Sequence, residues 1–338
     1  MIKINTLFTL ILICTIFSCR CKTEDEINTP EEETKIVYPA NKYQVVGYLR
    51  ESLIDKIQAN TLNHLTHLYL IGGVYGDSTE IVRFVDKQNT IKNIQILKEY
   101  RGRKNVKLIL SVAGHFKPHY FKFAKDKSKR TKYIQTLLNF CLENELDGID
   151  IDAEHPENKE EIPVMEQLAK EIYEAFHPKG LSVSHAIIFY NTQYSKAVLP
   201  YVDWINLMLY DMMDSNGYHA TYEDYLKFIK RHVDTGIPHS KLVAGLPFYG
   251  VNITKDKSKL IQMGYKQLVE QYATTFDPSS DVLGIYAFNG IKTIQKKVQY
   301  AAENEMAGVM FWSLGLDFTP ASNKSLLKAI VEVTPVEN

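Results

Sequence analysis

Cysteine is scarce in this chain of 338 residues, which contains four. Cys14, Cys19 and Cys21 lie close together near the N-terminus, and only Cys141 lies further along the chain. Four cysteines in this arrangement do not provide the framework of a disulfide-stabilised domain. Cys141 falls on the apolar stripe of a predicted helix, so we predict a buried free thiol there.

The chain also lacks an excess of charge of either sign. It has 39 Lys and Arg against 40 Asp and Glu, which gives a formal net charge of −1. No basic run stands out on a helix face, and this argues against a nucleic-acid partner. Hydrophobic residues make up 45% and charged residues 23%, as in ordinary globular proteins.

Long apolar runs are missing except at the N-terminus, where Lys3 precedes an apolar segment that ends near Cys19. The segment is short for a membrane span and is typical of a secretory signal. Its end, Ile16-Phe17-Ser18-Cys19, resembles a bacterial lipobox. This resemblance predicts a signal peptide over residues 1–19 and a mature chain that starts at lipidated Cys19, with a plain cleaved signal as the alternative.

Residues 20–40 are polar and acidic, without apolar periodicity, and predict a flexible tether. Acidic residues directly after a lipidated cysteine resemble the surface-export signals of some Gram-negative lipoproteins, although a solvated linker explains them equally well. We therefore expect a lipid anchor at the outer membrane or cell surface, and membrane contact through that anchor only.

From Tyr43 onward, short apolar runs alternate with amphipathic helical patterns. Such alternation predicts parallel strands covered by helices, and eight runs predict a closed (β/α)8 TIM barrel in the single domain 41–335. Its site would lie at the C-terminal ends of the strands. The predicted strands are 45–49, 65–70, 106–111, 148–152, 181–186, 204–209, 242–245 and 308–312.

Three carboxylates follow one predicted strand at alternate positions, namely Asp150, Asp152 and Glu154. Side chains two apart in a strand share a face, so these groups point the same way. Close like charges do not all ionise, and we expect at least one of the three to hold a proton near neutral pH.

Three interpretations of these carboxylates are open from the residues alone. The first is an exposed edge strand with a hydrated acidic face. The second is a metal site, because Asp-x-Asp-x-Glu is similar to the start of a calcium loop, although the glycine such a loop requires is absent. The third is acid/base chemistry by carboxylates that share a proton.

The stretch Asp147-Gly148-x-Asp150-x-Asp152-x-Glu154 resembles the DGxDxDxE signature of glycoside hydrolase family 18, which includes chitinases and endo-β-N-acetylglucosaminidases. The resemblance extends over about residues 43 to 320, with further motifs in the expected order. These motifs are Gly47-Tyr48, Met208-x-Tyr210-Asp211, Gly245-x-Pro247-x-Tyr249-Gly250 and the segment from Gly308 to Trp312.

Several positions depart from the family pattern. The third strand ends in Ser111-Val112-Ala113-Gly114 where the family has SxGG, and Ala153 and His155 replace common aromatic residues. These changes predict a thinner aromatic wall. The connection 251–307 is too short for the full α+β insertion of many family chitinases, so we expect a shallow groove.

The resemblance implies hydrolysis of β-1,4 bonds in N-acetylglucosamine (GlcNAc)-containing glycans, with chitin oligosaccharides as the default substrate. The substrate's acetamido oxygen would attack the anomeric carbon while Glu154 acts as general acid. Asp152 would orient the acetamido group, Asp150 would share a proton behind it, and Tyr210 would hydrogen-bond the acetamido oxygen.

The same resemblance assigns other residues to binding or to structure. Substrate-binding positions would be Tyr48, Met208, Asp211, Tyr249 and Trp312, with a structural role that caps the barrel as the alternative for Tyr48 and Tyr249. Asp147, Gly148 and Ser111 would support the motif. We predict no cofactor and no catalytic metal.

Two other functions are open. An endo-β-N-acetylglucosaminidase acting on N-glycans would share this chemistry and differ in its loops. A non-catalytic, lectin-like GlcNAc-binding protein would use the same barrel, but such members typically lose the acid, which is present here as Glu154. With only two tryptophans, a long stacking track for crystalline chitin is not expected.

Overall fold

A computed structural model describes residues 43–77, 80–113, 123–152, 156, 159–254 and 256–335. The predicted signal peptide, Cys19 and the acidic tether lie outside these residues, as do Glu154 and His155. Within the described residues, no helix combines the length and the apolar character needed to cross a membrane.

The described chain forms thirteen strands and eight α-helices. The strands are β1 (Gln44–Arg50), β2 (His67–Asp77), β3 (Ile81–Phe84), β4 (Lys107–Ala113), β5 (Gly148–Asp152), β6 (Ser182–Ile188), β7 (Trp204–Met208), β8 (Leu242–Pro247), β9 (Tyr249–Asn252), β10 (Gln262–Gly264), β11 (Val282–Leu283), β12 (Tyr286–Ala287) and β13 (Gly308–Trp312). The helices are α1 (Lys87–Arg101), α2 (Lys127–Glu143), α3 (Ile162–Phe176), α4 (Thr192–Val198), α5 (Tyr222–Asp234), α6 (Tyr265–Gln271), α7 (Ile291–Glu303) and α8 (Leu326–Val333).

Eight parallel strands close into a barrel in the order β1-β13-β8-β7-β6-β5-β4-β2, and β2 pairs back onto β1. The predicted (β/α)8 TIM barrel is therefore confirmed. Beyond it, β3 extends β2 as an antiparallel hairpin. A small antiparallel sheet, β10-β9-β12-β11, occupies the connection between β8 and β13. Neither addition was predicted.

Helices cover the barrel through apolar stripes. In α3 the buried side chains are Met165, Leu168, Ala169, Ile172 and Phe176, which are three or four residues apart. In α2 the stripe includes Cys141, a buried thiol that is in no disulfide, as predicted. A second cluster of buried apolar and aromatic side chains fills the inside of the barrel and includes Tyr48, Tyr69, Trp204 and Met310.

Strand register decides which residues meet inside the barrel. Asp150 of β5 pairs with Ser111 of β4 on one side and with Ser184 of β6 on the other. Gly148, at the start of β5, permits this close pairing, because a Cβ there would lie 2.4 Å from the carbonyl oxygen of Ser182. The register therefore depends on glycine at position 148.

Candidate active site

Asp150 lies inside the barrel and is fully buried. Its Oδ2 accepts hydrogen bonds from Ser111 Oγ at 2.7 Å and from the Tyr48 hydroxyl at 2.9 Å. Its Oδ1 accepts from Ser184 Oγ at 2.7 Å and from Asn206 Nδ2 at 3.1 Å. Burial raises the pKa of this carboxyl from 3.8 to about 6, although the four hydrogen bonds act in the opposite direction. Asp150 can therefore exchange a proton near neutral pH.

A second layer of side chains orients these donors. Ser184 has one hydroxyl hydrogen, which it gives to Asp150, so Tyr69 must donate to Ser184 Oγ across 3.0 Å. Trp204 Nε1 in turn donates to the Tyr69 hydroxyl at 3.0 Å. The result is a chain of donors from Trp204 through Tyr69 and Ser184 to the carboxylate, and this direction favours negative charge on Asp150.

Asp152 stands two residues beyond Asp150 on β5 and is partly exposed. Because the strand alternates, its side chain leaves the same face of β5 as Asp150 does. Burial, and then the negative charge of Asp152, raise the pKa of the Tyr210 phenol well above its ordinary value. Tyr210 therefore keeps its proton and remains a hydrogen-bond donor beside this carboxylate. Glu154, the predicted acid, follows in the part of the chain that the structure does not describe.

Aromatic rings flank the carboxylates. Tyr48, Tyr69 and Trp312 come from paired positions of β1, β2 and β13, respectively. The Tyr48 ring centroid lies 4.8 Å from that of Tyr69 and 6.0 Å from that of Trp312. Tyr48 is only 2% exposed and its hydroxyl is bonded to Asp150, which is a supporting role. Trp312 is partly exposed at the end of β13, and Met208 packs against the same cluster.

Asp211 and Tyr249 form a separate pair beyond the ends of β7 and β8. The Tyr249 hydroxyl donates to Asp211 Oδ1 at 2.5 Å, and Gln262 Nε2 donates to the same oxygen at 3.3 Å. Asp211 adopts a left-handed backbone conformation with φ of 59°, and its N–H donates to Nε2 of His219 at 3.0 Å. Its carboxylate is half-exposed, and its position is defined by neighbours on three sides.

Asp147 acts at the other end of β5. It accepts hydrogen bonds from Arg101 at 2.8 Å and from the backbone N–H of Leu108 at 2.9 Å. These contacts join α1 and β4 to the start of β5, before the first residue of the carboxylate strand. The motif therefore places structural contacts at the start of β5 and the candidate catalytic carboxylates toward its end.

Comparison with known proteins identifies the family. The sequence profile described as "Glycosyl hydrolases family 18" matches residues 44–317. The chain belongs to this family. The family resemblance read from the motifs is confirmed, and the matched range covers the whole barrel.

The family 18 relatives are distant in sequence. Probable chitinase 10 of Drosophila melanogaster is 23% identical over 372 residues, which cover 87% of this chain and 16% of that protein. Class V chitinase CHIT5 of Lotus japonicus is 22% identical, covering 78% of this chain and 79% of that protein. The crystal structure of a chitinase from Bacteroides thetaiotaomicron has a TM-score of 0.72 and 28% identity, covering 86% of this chain and 96% of that one.

Sequence reasoning missed several residues of this family 18 site. Ser184, Asn206 and Tyr69 complete the surroundings of Asp150, and none was predicted. Ser184 and Asn206 are polar residues that are fully or almost fully buried within otherwise apolar strands, and that pattern was the available signal. The pattern alone does not identify their common partner, because that depends on register across three strands.

Two buried histidines, His67 and His185, lie close to the barrel interior. Burial lowers the pKa values of His67 and His185 to about 3, so both are neutral at physiological pH. His185 contacts the Tyr194 hydroxyl through Nδ1 at 3.1 Å. Among the described residues, no group of three His, Cys, Asp or Glu side chains is arranged to hold a metal ion. His115 and His119, four residues apart in the sequence, lie outside that part of the chain, and the absence of a metal stays a prediction.

Proposed function

We propose that this chain hydrolyses β-1,4 bonds in GlcNAc oligosaccharides by substrate-assisted catalysis with retention of configuration. The observation that carries the proposal is Asp150, which is buried among four neutral donors, with Asp152 beyond it on the same face of β5. The three relatives compared above are all named as chitinases, which supports the substrate class.

The reaction would begin with proton transfer from Glu154 to the glycosidic oxygen as the bond to the anomeric carbon breaks. The carbonyl oxygen of the substrate's own 2-acetamido group would form the new bond to that carbon and give an oxazolinium ion. Water would then attack the anomeric carbon and give a proton to Glu154, while the bond from that carbon to the acetamido oxygen breaks and the acetamido group is restored. Two displacements at one carbon restore the original configuration.

Asp152 would accept a hydrogen bond from the acetamido N–H and balance the positive charge of the oxazolinium ion. Asp150 would support this role, because its pKa of about 6 allows it to hold a proton beside Asp152 and to release it near neutral pH. Tyr210, which keeps its phenolic proton, would donate to the acetamido oxygen.

The sugar ring would rest on Trp312, the partly exposed aromatic residue at the end of β13. Met208 and Asp211 would line the same pocket. Tyr249, only 4% exposed, would act by fixing Asp211 rather than by direct contact with the sugar.

Hydrolysis of a chromogenic chitobioside and of a high-mannose N-glycopeptide by the full chain tests the proposal. We expect the chitobioside to be cut, and Glu154→Gln to lower the rate by at least ~100-fold, the typical loss for a general acid. Glu160→Gln makes the same chemical change at an exposed position and should leave the rate unchanged.

Each alternative has its own outcome in these assays. If only the glycopeptide is cut, the proposed mechanism stands and the proposed substrate changes from chitin oligosaccharides to N-glycans. If neither substrate is cut while wild type and Glu154→Gln bind chito-oligosaccharides equally, the enzyme proposal fails in favour of a sugar-binding protein.

We also propose that Cys19 carries a lipid that anchors the chain to a membrane, with residues 20–40 as a tether. The support is the lipobox-like end of the N-terminal apolar segment. Metabolic labelling with an alkyne fatty acid should label the wild type and the Cys21→Ser variant but not Cys19→Ser. Equal labelling of all three, or of none, contradicts the proposal.

A further inference from the structure

Lys297 is a fully buried lysine on α7 that has no part in the proposed chemistry. Its Nζ donates to the carbonyl oxygen of Ala220 at 2.7 Å and to Oδ1 of Asn289 at 2.6 Å. Asn289 Nδ2 donates to the same Ala220 carbonyl at 3.1 Å. Two side chains from the β12–α7 region therefore converge on one backbone oxygen after β7.

Ala220 lies at the base of the loop 211–220, which follows β7. The loop folds back on itself. The Ala220 N–H donates to the carbonyl oxygen of Met212 at 2.9 Å, and Met213 forms an isolated antiparallel β-bridge with His219. Ala220 has a φ of 49°, and α5 begins two residues later with Thr221 as its N-cap. The carbonyl that Lys297 holds is therefore a junction between this loop and α5.

The loop connects that junction to the candidate site. His219, next to Ala220, accepts a hydrogen bond from the backbone N–H of Asp211 at 3.0 Å. This bond requires a neutral imidazole with its hydrogen on Nδ1, and burial lowers the pKa of His219 in agreement. Asp211 follows Tyr210 directly, so the same loop fixes both proposed contacts to the sugar.

The surroundings of Lys297 keep this contact through neutral pH. Burial lowers its pKa from 10.5 to about 7, while the charges of Asp281, Asp224 and Glu223 act to raise it. The ring of Tyr225 lies 5.1 Å from Nζ. Even a neutral amine retains two N–H groups, which suffice for its two acceptors, so the contact does not depend on the charge.

We propose that Lys297 is a positioning residue for the hydrolytic reaction: by holding the Ala220 carbonyl together with Asn289, it fixes the loop that presents Tyr210 and Asp211. The inference rests on the proposed function. Misplacement of groups around a transition state by about 1 Å lowers rates on the order of 100-fold, so small movements of this loop have a measurable effect.

The test is a comparison of Lys297→Met with wild type in the full chain, using the chromogenic chitobioside. Methionine fills a similar volume without any donor. We expect kcat to fall about 10- to 100-fold with KM within about 3-fold, because the loss concerns the transition state more than ground-state binding. Lys292→Met, an exposed position on the same helix, should match wild type.

A double-mutant cycle separates positioning from a general loss of structure. If Lys297 acts through Asp211, Lys297→Met should have little further effect in an Asp211→Asn background. If the decreases in kcat of the two single variants multiply in full in the double variant, the inference is overturned. A Lys297→Met variant with wild-type activity would also overturn it. If the wild type cleaves neither substrate, the proposed function fails and this inference fails with it. That result differs from an active wild type whose Lys297→Met variant is equally active, which overturns the inference alone.

Asn289→Ala provides a second variant if Lys297→Met does not fold. It removes one donor to the Ala220 carbonyl and one of the two acceptors of Lys297, while the contact between Lys297 and the Ala220 carbonyl stays possible. A decrease in kcat that is smaller than that expected for Lys297→Met, and that does not occur in the Asp211→Asn background, supports the inference. Wild-type activity in Asn289→Ala together with an unfolded Lys297→Met shows a structural lysine only and overturns it.

Discussion

Replacing Asp150 by asparagine should change how stability depends on pH. The carboxyl has a pKa of about 6 in the folded protein against an ordinary value of 3.8. The folded state therefore holds this proton more tightly than the unfolded chain does. The favourable contribution of Asp150 is fully present below pH 3.8 and is lost as the pH rises through about 6.

The magnitude follows from the difference of roughly two pKa units, each of which corresponds to ~1.4 kcal/mol, so the loss amounts to about 3 kcal/mol. Asparagine is neutral at every pH, so the variant does not undergo this loss of stability. Its amide also fits the site, because its oxygen can face Asn206 and Ser184 while its NH₂ faces Ser111 and Tyr48. Those last two partners are hydroxyl groups, which can rotate to accept a hydrogen bond.

Urea unfolding of wild type and Asp150→Asn at half-unit steps from pH 4 to pH 7 measures this effect. The free energy of unfolding of the variant, relative to wild type, should rise by about 2.5 kcal/mol across that range, because much of the unfolded chain is already ionised at this position at pH 4. Fluorescence and circular dichroism must give coincident transitions for the comparison to hold. Asp234→Asn, the same change at an exposed side chain, should show no comparable rise. A free energy of unfolding for Asp150→Asn that differs from wild type by the same amount at every pH would refute the reasoning.

Three further predictions use the same unfolding assay. Ser184→Ala removes a donor to Asp150, so the pKa of that carboxyl should rise further and the decrease in stability should extend to higher pH. Gly148→Ala places a methyl group 2.4 Å from the Ser182 carbonyl oxygen and should destabilise the fold by about 1–3 kcal/mol at every pH, measured as a lower urea midpoint. Because the folded pKa of Lys297 is depressed to about 7, wild-type stability should rise from pH 7 toward pH 10, and Lys297→Met should lose that rise in the urea midpoint.

Most of the barrel strands were predictable because they are apolar runs with buried residues on both faces, and β5 was predictable because two isoleucines alternate with its carboxylates. The strands 148–152 and 308–312 match β5 and β13 to the residue, and 242–245 falls two residues short of β8. The small antiparallel sheet β10-β9-β12-β11 had no comparable apolar run in the sequence. Its strands β11 and β12 have two residues each, too few to show any periodicity.

The candidate site was predictable only along single strands. Alternation in β5 placed Asp150 and Asp152 on one face without knowledge of any neighbour. Ser184 and Asn206 reach Asp150 from β6 and β7, and their approach depends on the register between strands, which closure of the barrel determines. Glu154 lies outside the described residues, so its position is still a prediction.

The donors around Asp150 explain why its pKa lies near neutrality. The four groups that contact it are neutral: three hydroxyls and one amide. Hydrogen bonds of this kind stabilise the ionised carboxylate enough to offset part of the effect of burial. An arginine or lysine at the same position would lower the pKa well below the working range and fix Asp150 as an anion. Neutral donors leave the proton exchangeable, which is what a carboxyl behind Asp152 requires if the pair is to share one proton during the reaction.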